Sequence, residues 1–400
     1  MGKNNDNIFE RHPRKTIFCF LVGVIFIFDF LSATTYRFLN GYPWASRKEE
    51  QRRIKYQEPE RIYRIRSKFY HHDLAAKKIV HDTTWGSNIC SYYINSLGFR
   101  DKSIRDISLI PDKHRVVFIG DSFTEGLGLD YENTFAGLID EALSEKSIEV
   151  LNAGVTAYSP IIYWRKVKYL IENVGLKFDQ LVVFLDISDA EDEAIYYCLD
   201  ESGNVVKYDA RELTQGSTKR KDEKYYAVLA KRFKIGIKKN SILSYAILYN
   251  LRDMFFPEEK SMPRKHVLRY VRSGWTIDDK LYQEYGEKGL RKMQLYMDKL
   301  YDLLKRNNIK LTVAVYPWPT QIIYHDLNSI QVRFWSDWCR RHDVNFINYF
   351  PYFVTGKTKD DREQVVDKYF FKNDPHWNKE GHKLIADVFL TDYTNQEKSI

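Results

Sequence analysis

The stretch Val116-Val117-Phe118-Ile119-Gly120-Asp121-Ser122-Phe123-Thr124-Glu125-Gly126 is an apolar strand pattern that runs into a Gly-Asp-Ser turn ahead of a helix. In an open α/β sheet such a turn lies at the carboxyl end of its strand, where ligands bind. There a serine hydroxyl is presented to solvent, and the backbone N–H groups that follow can face a developing oxyanion. Taken alone, the same residues read as a Gly-Asp turn in which Ser122 caps the next helix. A second group, Asn373-Asp374-Pro375-His376-Trp377-Asn378, sets a carboxylate and an imidazole next to each other in a loop near the C-terminus. Hydroxyl, imidazole and carboxylate are the residue types that covalent acyl transfer requires.

The elements that must position these groups follow from the hydrophobic pattern. From Arg115 onward, short apolar runs alternate with amphipathic helical patterns, the signature of a parallel, doubly wound α/β sheet. Strands are expected at 116–119, 148–151, 181–185, 310–315 and 345–347. Helices are expected to start near Asn133, Pro160, Asp279 and Asn328, and a last one follows Asn378, where Leu384, Ile385, Val388 and Phe389 keep helical spacing. This predicts a flavodoxin-like three-layer α/β/α sandwich on a parallel five-stranded sheet. About ninety residues separate the third strand from the helix before the fourth, far more than a connection needs. An insertion is therefore expected at about 190–278. Its basic runs at 219–224 and 231–239, with Ile242, Leu243, Tyr245, Ile247 and Leu248, fit a basic amphipathic helix that either packs on the domain, covers the site or lies on a membrane.

At several ordered positions the sequence resembles the SGNH (GDSL-like) hydrolase family, over roughly residues 95–389. Gly120-Asp121-Ser122 is similar to the family's first block, and Asn95-Ser96-Leu97-Gly98-Phe99-Arg100 stands where many members carry Asn-Ser-x-Gly-Phe-Arg. The second block is Asn152-Ala153-Gly154, where the resemblance implies that the Gly154 amide donates to the oxyanion. In place of the family's Gly-x-Asn-Asp this chain has Asp186-Ile187-Ser188-Asp189, so the oxyanion asparagine is missing and either Ser188 replaces its donor or backbone amides alone remain. The last block, Asp374-Pro375-His376-Trp377, resembles a branch that includes polysaccharide O-acetyltransferases of the alginate type. It implies a triad in which His376 takes the proton from Ser122 while Asp374 orients the imidazole and stabilises its cation. Asp121 and Gly154 join Ser188 as candidates for holding the oxyanion or substrate. Trp318, in Tyr316-Pro317-Trp318-Pro319 after the fourth strand, is a candidate stacking surface for a sugar ring; the bare motif is a rigid turn.

The N-terminus carries a membrane-targeting pattern. A polar segment over 1–15, with Arg11, Arg14 and Lys15, precedes an uninterrupted apolar run at 17–28 that Phe30, Leu31 and Ala33 extend past Asp29. Leu31-Ser32-Ala33 puts a large residue where signal cleavage wants a small one, and Tyr36, Phe38, Tyr42 and Trp44 resemble an interfacial aromatic belt. A retained transmembrane anchor at 16–36 is expected, followed by a charged juxtamembrane linker at 37–94 with a helical stretch near 47–53, then the hydrolase-like domain at 95–393 and a tail at 394–400. The basic residues that follow the run offset those before it, so charge does not orient the anchor. The layout of one apolar run before the whole body places that body in the periplasm or outside the cell.

Composition narrows the alternatives. With 400 residues, 44% of them hydrophobic, the chain can bury a large core. The net charge of +8 is spread among nearly as many acids, and no zinc-ribbon, helix-turn-helix or RNP-like pattern accompanies it, so nucleic acid is not an expected partner. Cys19, Cys90, Cys198 and Cys339 form no C-x-x-C pair. The acids Asp189, Glu191, Asp192 and Glu193 read as an acid-rich helix start rather than a cation site, and neither a metal nor a cofactor is expected. Gly120 to Gly126 carries an acid pair where a phosphate cradle would want none, which disfavours a nucleotide or flavin binder. Two readings remain: a serine esterase or O-acyltransferase acting on acylated, above all acetylated, carbohydrate or another small ester, and a catalytically silent SGNH-like domain that binds glycan or scaffolds an assembly.

Overall fold

The apolar N-terminal run becomes one 28-residue helix, α1 (Pro13–Asn40). This is a computed structural model, and it describes residues 12–41, 43–44, 63–85, 88–207, 240–243, 270–372 and 374–397. Pro13 opens α1, where an N–H has no helical partner to lose, and Gly41 ends it at φ 75° with its N–H on the Arg37 carbonyl. At 1.5 Å per residue α1 is about 42 Å long, against ~30 Å for the hydrocarbon of a bilayer. Its most apolar 18 residues have a mean hydropathy of 2.4, and among the described residues it is the one helix long and apolar enough to cross a membrane. It overruns the expected 16–36 at both ends. Most of its large apolar side chains are exposed, whereas Asp29 and Ala33 are buried. Asp29 Oδ1 accepts the backbone N–H groups of Ile242 and Leu243 at 2.7 and 2.6 Å, which satisfies a carboxylate that would otherwise be costly in an apolar setting. α1 and residues 240–243 belong to the smaller of two compact units, whose residues come from 1–58 and 214–261. The expected helical stretch near 47–53 and the basic runs at 219–239 lie outside the described residues.

The larger unit draws on residues 59–213 and 262–400. It opens with an antiparallel hairpin, Arg64–Ser67 against His71–Leu74. Eight strands follow: β1 (Lys78–Trp85), β2 (Asn88–Ile94), β3 (Arg100–Asp101), β4 (His114–Ile119), β5 (Ile148–Asn152), β6 (Gln180–Leu185), β7 (Lys310–Val315) and β8 (Asn345–Asn348). They form one sheet in the order β8-β7-β6-β4-β5-β3-β2-β1. The strands from β8 to β5 are parallel, with Val117 opposite both Leu151 and Leu181, and Leu181 opposite Leu311. In β6 every residue is buried, the mark of a parallel strand covered on both faces.

Among the helices that surround or cap this sheet are α2 (Ser122–Glu125), α3 (Phe135–Ser144), α4 (Pro160–Tyr169), α5 (Glu287–Arg306), α6 (Ile330–His342), α7 (Lys359–Tyr369) and α8 (Lys379–Glu397). α3 packs with α8, and α4 packs with α5. α5 buries Leu290, Met293, Met297, Leu300 and Leu304 at helical spacing, and its Asp298 accepts the Trp338 indole N–H of α6 at 2.7 Å. The five parallel strands and their helices are thus the expected sandwich, in the flavodoxin-like order.

Three expectations need correction. Residues 64–94, expected as linker, form the hairpin and the first two strands of the sheet. β1 and β2 alternate, with Val80 and Thr83 inside on one and Cys90, Tyr92 and Ile94 on the other. The period of two is broken by a register shift between Val80 and Thr83, where Asp82 has φ 56°, and charged residues hide the remainder. The expected insertion at about 190–278 has other bounds: residues 197–207 form a hairpin whose Val205 bridges Tyr70, within the larger unit. At the other end α8 continues through Glu397, with Tyr393 buried, so the tail begins later than 394.

Candidate active site

The parallel strands deliver their loops to one end of the sheet. The order reverses about β4, whose neighbours β5 and β6 lie on opposite sides, and the carboxyl end of a strand at such a switch point is where open α/β sheets bind ligands. Gly120 follows β4 there. A Cβ on it would stand 2.1 Å from Thr124 Oγ1 and 3.1 Å from the Phe184 carbonyl oxygen, so the tight turn requires glycine. Asp121 caps α2 by accepting the Phe123 N–H at Oδ1, 3.0 Å away, and Ser122 becomes the first helical residue. A first-turn N–H has no partner within its helix, which leaves the Ser122 amide directed away from α2.

The loop at residues 370–378 brings the imidazole to this serine. Phe371 N–H donates to the His376 carbonyl at 2.9 Å, and Asp374 N–H to the Phe371 carbonyl at 3.1 Å. Asp374 Oδ1 accepts the His376 backbone N–H at 3.0 Å and is also bonded to ring Nδ1. The spacing of two is that of an Asx turn, in which a carboxylate holds the backbone two residues on. With Nδ1–H directed to Asp374, Nε2 carries the lone pair, and it lies 2.7 Å from Ser122 Oγ. Ser122 Oγ is 3.2 Å from Asp121 Oδ2, so the imidazole is the closer acceptor of its proton. Ser122 is 8% and His376 3% exposed, while the Asp374 side chain is 25% exposed. Phe123 and Trp85 pack on the imidazole at ring separations of 4.7 and 5.1 Å. Asn373 lies outside the described residues.

The second and third blocks stand beside this triad with different contacts from those expected. Gly154 follows β5, but its N–H donates to Asn152 Oδ1 at 3.0 Å and so has a partner inside its own loop. The glycine is needed for another reason: a Cβ there would meet Thr124 Cβ and Cγ2 at 2.6 Å, so Gly154 is what lets the loop approach α2. Asn152 Nδ2 completes the link by donating to the Thr124 carbonyl at 2.7 Å. Ser188, 3% exposed, follows β6 and donates its N–H to Asp186 Oδ1 at 2.7 Å. Trp318 offers no stacking face, since it is 2% exposed and its indole N–H donates to Asp186 Oδ2 at 2.6 Å. A tryptophan after a strand reads as an open surface until a buried carboxylate claims its N–H.

Asp121 is a buried cap, bonded also to the Tyr316 hydroxyl at 3.3 Å, so its contacts are structural ones within the protein. Burial, and then the Asp186 carboxylate, push Asp121 well above the usual carboxylate range. Burial and the same neighbour push Asp189 up as well, although it accepts the Tyr163 hydroxyl at 3.0 Å. Farther along, burial raises Asp192 to about 7 against the pull of Arg272, and raises Glu193 to about 7 despite bonds from Ile161 N–H and Ser159. Among the described residues no group of three metal-ligating side chains is assembled.

Sequence reasoning missed the supports of α2. Glu125 is fully buried; its Oε2 accepts the Thr156 N–H at 2.6 Å and the Thr156 hydroxyl at 2.7 Å, and Arg64 donates to both oxygens at 2.7 and 3.1 Å. Burial alone would raise Glu125, but Arg64 and these hydrogen bonds outweigh it and hold it below its ordinary value. Arg100, 1% exposed, donates to the carbonyls of Glu125, Gly126 and Leu129 while its guanidinium lies 4.0 Å over the Tyr92 ring. Arg100 belongs to the Asn-Ser-x-Gly-Phe-Arg segment, so a signal existed there. Arg64 sits in a segment with no motif, and nothing flagged it.

No family model and no curated protein matches the chain. Among solved structures it is similar to the psychrotrophic esterase EstA from a Pseudoalteromonas species, at 12% identity and a TM-score of 0.37, over 72% of this chain and 100% of that one. It is similar to the acetyl xylan esterase AlAXEase at 14% identity and a TM-score of 0.38, covering 70% and 98% of the two chains. It is also similar to a GDSL-like lipase from Bacteroides thetaiotaomicron at 11% identity and a TM-score of 0.35, covering 74% and 93%. In the order of its motif blocks the chain resembles the SGNH hydrolases.

Proposed function

We propose that this protein is a membrane-anchored serine esterase or O-acyltransferase of the SGNH type, acting on acyl esters, above all acetyl esters, of cell-envelope or exported polysaccharide. The observation that carries the reading is the 2.7 Å contact between Ser122 Oγ and His376 Nε2, with the opposite ring nitrogen bonded to Asp374. In the first step Ser122 Oγ attacks the ester carbonyl carbon as its proton passes to Nε2, and Asp374 stabilises the imidazolium. The oxyanion is received by the Ser122 amide and by Ser188. His376 then returns the proton to the leaving alcohol as the C–O bond breaks, leaving an acyl-serine. Water or a glycan hydroxyl, deprotonated by the same imidazole, attacks that acyl group and frees Ser122.

The anchor reading is supported by the length and hydropathy of α1 and by its exposed apolar side chains. A body in the periplasm or outside the cell is the reading suggested by one apolar run that precedes it. The polysaccharide substrate is inferred from that location and from the Asp-x-His-Trp loop. The test compares hydrolysis of a chromogenic acetyl ester by the wild type with that by Ser122→Ala and His376→Ala. Turnover that both substitutions reduce to the uncatalysed rate supports the triad. A wild type no faster than its variants, with glycan acceptors as without, sinks it.

A second reading is favoured by the third block. Ser188 replaces the family's asparagine, and the Gly154 amide is bonded to Asn152 rather than left for an oxyanion. A glycan-binding protein without turnover would show unchanged glycan affinity after Ser122→Ala and no acyl-serine in mass spectra of wild type quenched with an activated acetyl ester.

A further inference from the structure

The geometry points to Trp85 as the residue that reads the alcohol side of the ester, as an aromatic wall for a pyranose ring; this rests on the serine-esterase reading above. In acyl transfer the leaving alcohol takes its proton from His376 Nε2, so the alcohol's own carbon skeleton must lie beside the imidazole when the C–O bond breaks. A side chain in ring contact with that imidazole is a neighbour of the alcohol, whereas on the reading above the acyl oxygen faces the Ser122 amide and Ser188. Trp85 is in that position. It ends β1, its ring stands nearly perpendicular to the His376 ring, at 89°, with centroids 5.1 Å apart, and it is only partly buried.

Among the described residues, Phe371 and Gly128 border Trp85 at this edge of the site. Phe371, also partly buried, opens the loop that carries the triad acid and base, and its N–H is held by the His376 carbonyl. Gly128, at φ 82°, lies between the two: a Cβ there would stand 3.1 Å from the Phe371 ring and 3.3 Å from Trp85 Cβ. Any side chain at 128 would therefore push into this rim. The apolar CH-bearing face of a pyranose matches an indole surface, and packing the two removes both from water. The other candidate platform, Trp318, is closed off by Asp186.

The experiment uses the full chain in detergent and two acetyl esters, glucose pentaacetate and ethyl acetate, followed by acid release. Trp85→Ala is expected to lower kcat/KM for glucose pentaacetate about tenfold more than for ethyl acetate, the difference appearing in KM, because ethanol is too small to reach the indole. Trp85→Phe, which keeps an aromatic face and the packing of the strand end, should restore most of the lost affinity. The preference for ethyl acetate over ethyl butyrate should not change, since it reports the acyl side. Equal losses on both acetyl esters would make Trp85 a support of His376 and overturn the proposal, as would no loss on either. A wild type that cleaves neither ester removes the esterase reading itself, and this proposal with it.

Discussion

One oxygen of Asp374 holds both the backbone N–H of His376, at 3.0 Å, and its ring Nδ1. The carboxylate therefore sets the loop and the tautomer at once, and the two functions can be separated by substitution. Asp374→Asn keeps an oxygen for the backbone bond but no longer stabilises an imidazolium. It should lower kcat by about 10⁴ with little change in KM, the scale seen when a triad acid is neutralised. Asp374→Ala should lose the turn as well, visible as a fall in the melting temperature that the asparagine variant does not share.

Ser188 gives a graded prediction. Loss of one oxyanion donor costs about 10²–10³ in kcat, so Ser188→Ala should fall by that amount on a small acetyl ester with KM unchanged. An unaltered kcat would mean that backbone amides suffice.

Gly154→Ala places a methyl group 2.6 Å from Thr124 Cβ and Cγ2, against the helix that begins with Ser122. The loop or α2 must shift, so turnover should fall by at least about tenfold, the cost of ~1.4 kcal/mol in the transition state. The folded state should remain detectable by circular dichroism. A fully active variant would show that the loop does not fix the nucleophile.

The buried acids predict a pH profile for stability. Asp192 and Glu193 hold folded values of about 7, above their ordinary 3.8 and 4.5. The folded state then binds more protons than the unfolded chain over that interval, and stability falls as pH rises from about 4 toward about 7. Glu125 works in the opposite sense: its value is depressed, so its contribution is present above 4.5 and is lost as pH falls further. The melting temperature of the wild type should decline between about pH 5 and about pH 8. In Glu193→Gln that decline should be shallower; an unchanged slope would assign the protons elsewhere.

The Arg64–Glu125 pair predicts asymmetry. Removing the cation in Arg64→Met strands a fully buried carboxylate and should cost about 3–5 kcal/mol in chemical denaturation. Arg64→Met combined with Glu125→Leu should cost much less, because no charge is left unpaired. Equal losses would mean that packing, not charge, decides.

What could be read from sequence followed the strength of each local signal. β4, β6 and β7 are continuous apolar runs between turns, and the triad residues lie in compact blocks, so five strands and the positions of Ser122, Asp374 and His376 were legible. β1 was not, because Asp82 breaks its alternation and its charged residues resemble a linker. Contacts across long sequence distances were invisible for the same physical reason: Arg64 lies 61 residues from Glu125, and only the folded sheet brings them together. Trp318 and Gly154 were identified as site residues, but the bonds that occupy their N–H groups depend on Asp186 and Asn152 orientations that no spacing rule encodes.

The hairpin at 64–74 changes where this chain can be cut. A version trimmed to its recognisable motifs, starting at Asn95, would keep every residue of the triad and lose the guanidinium beneath the nucleophile helix. Glu125 would then have to take up a proton or draw in water, and α2 would lose its tie through Arg64 to the Thr156 loop. Domain shuffling that respects the motif blocks alone would yield a protein with all its chemistry and a loosened serine. The stretch that looks like spacer thus belongs to the support of Ser122, and a length change in it would reach the serine through Arg64 and Glu125.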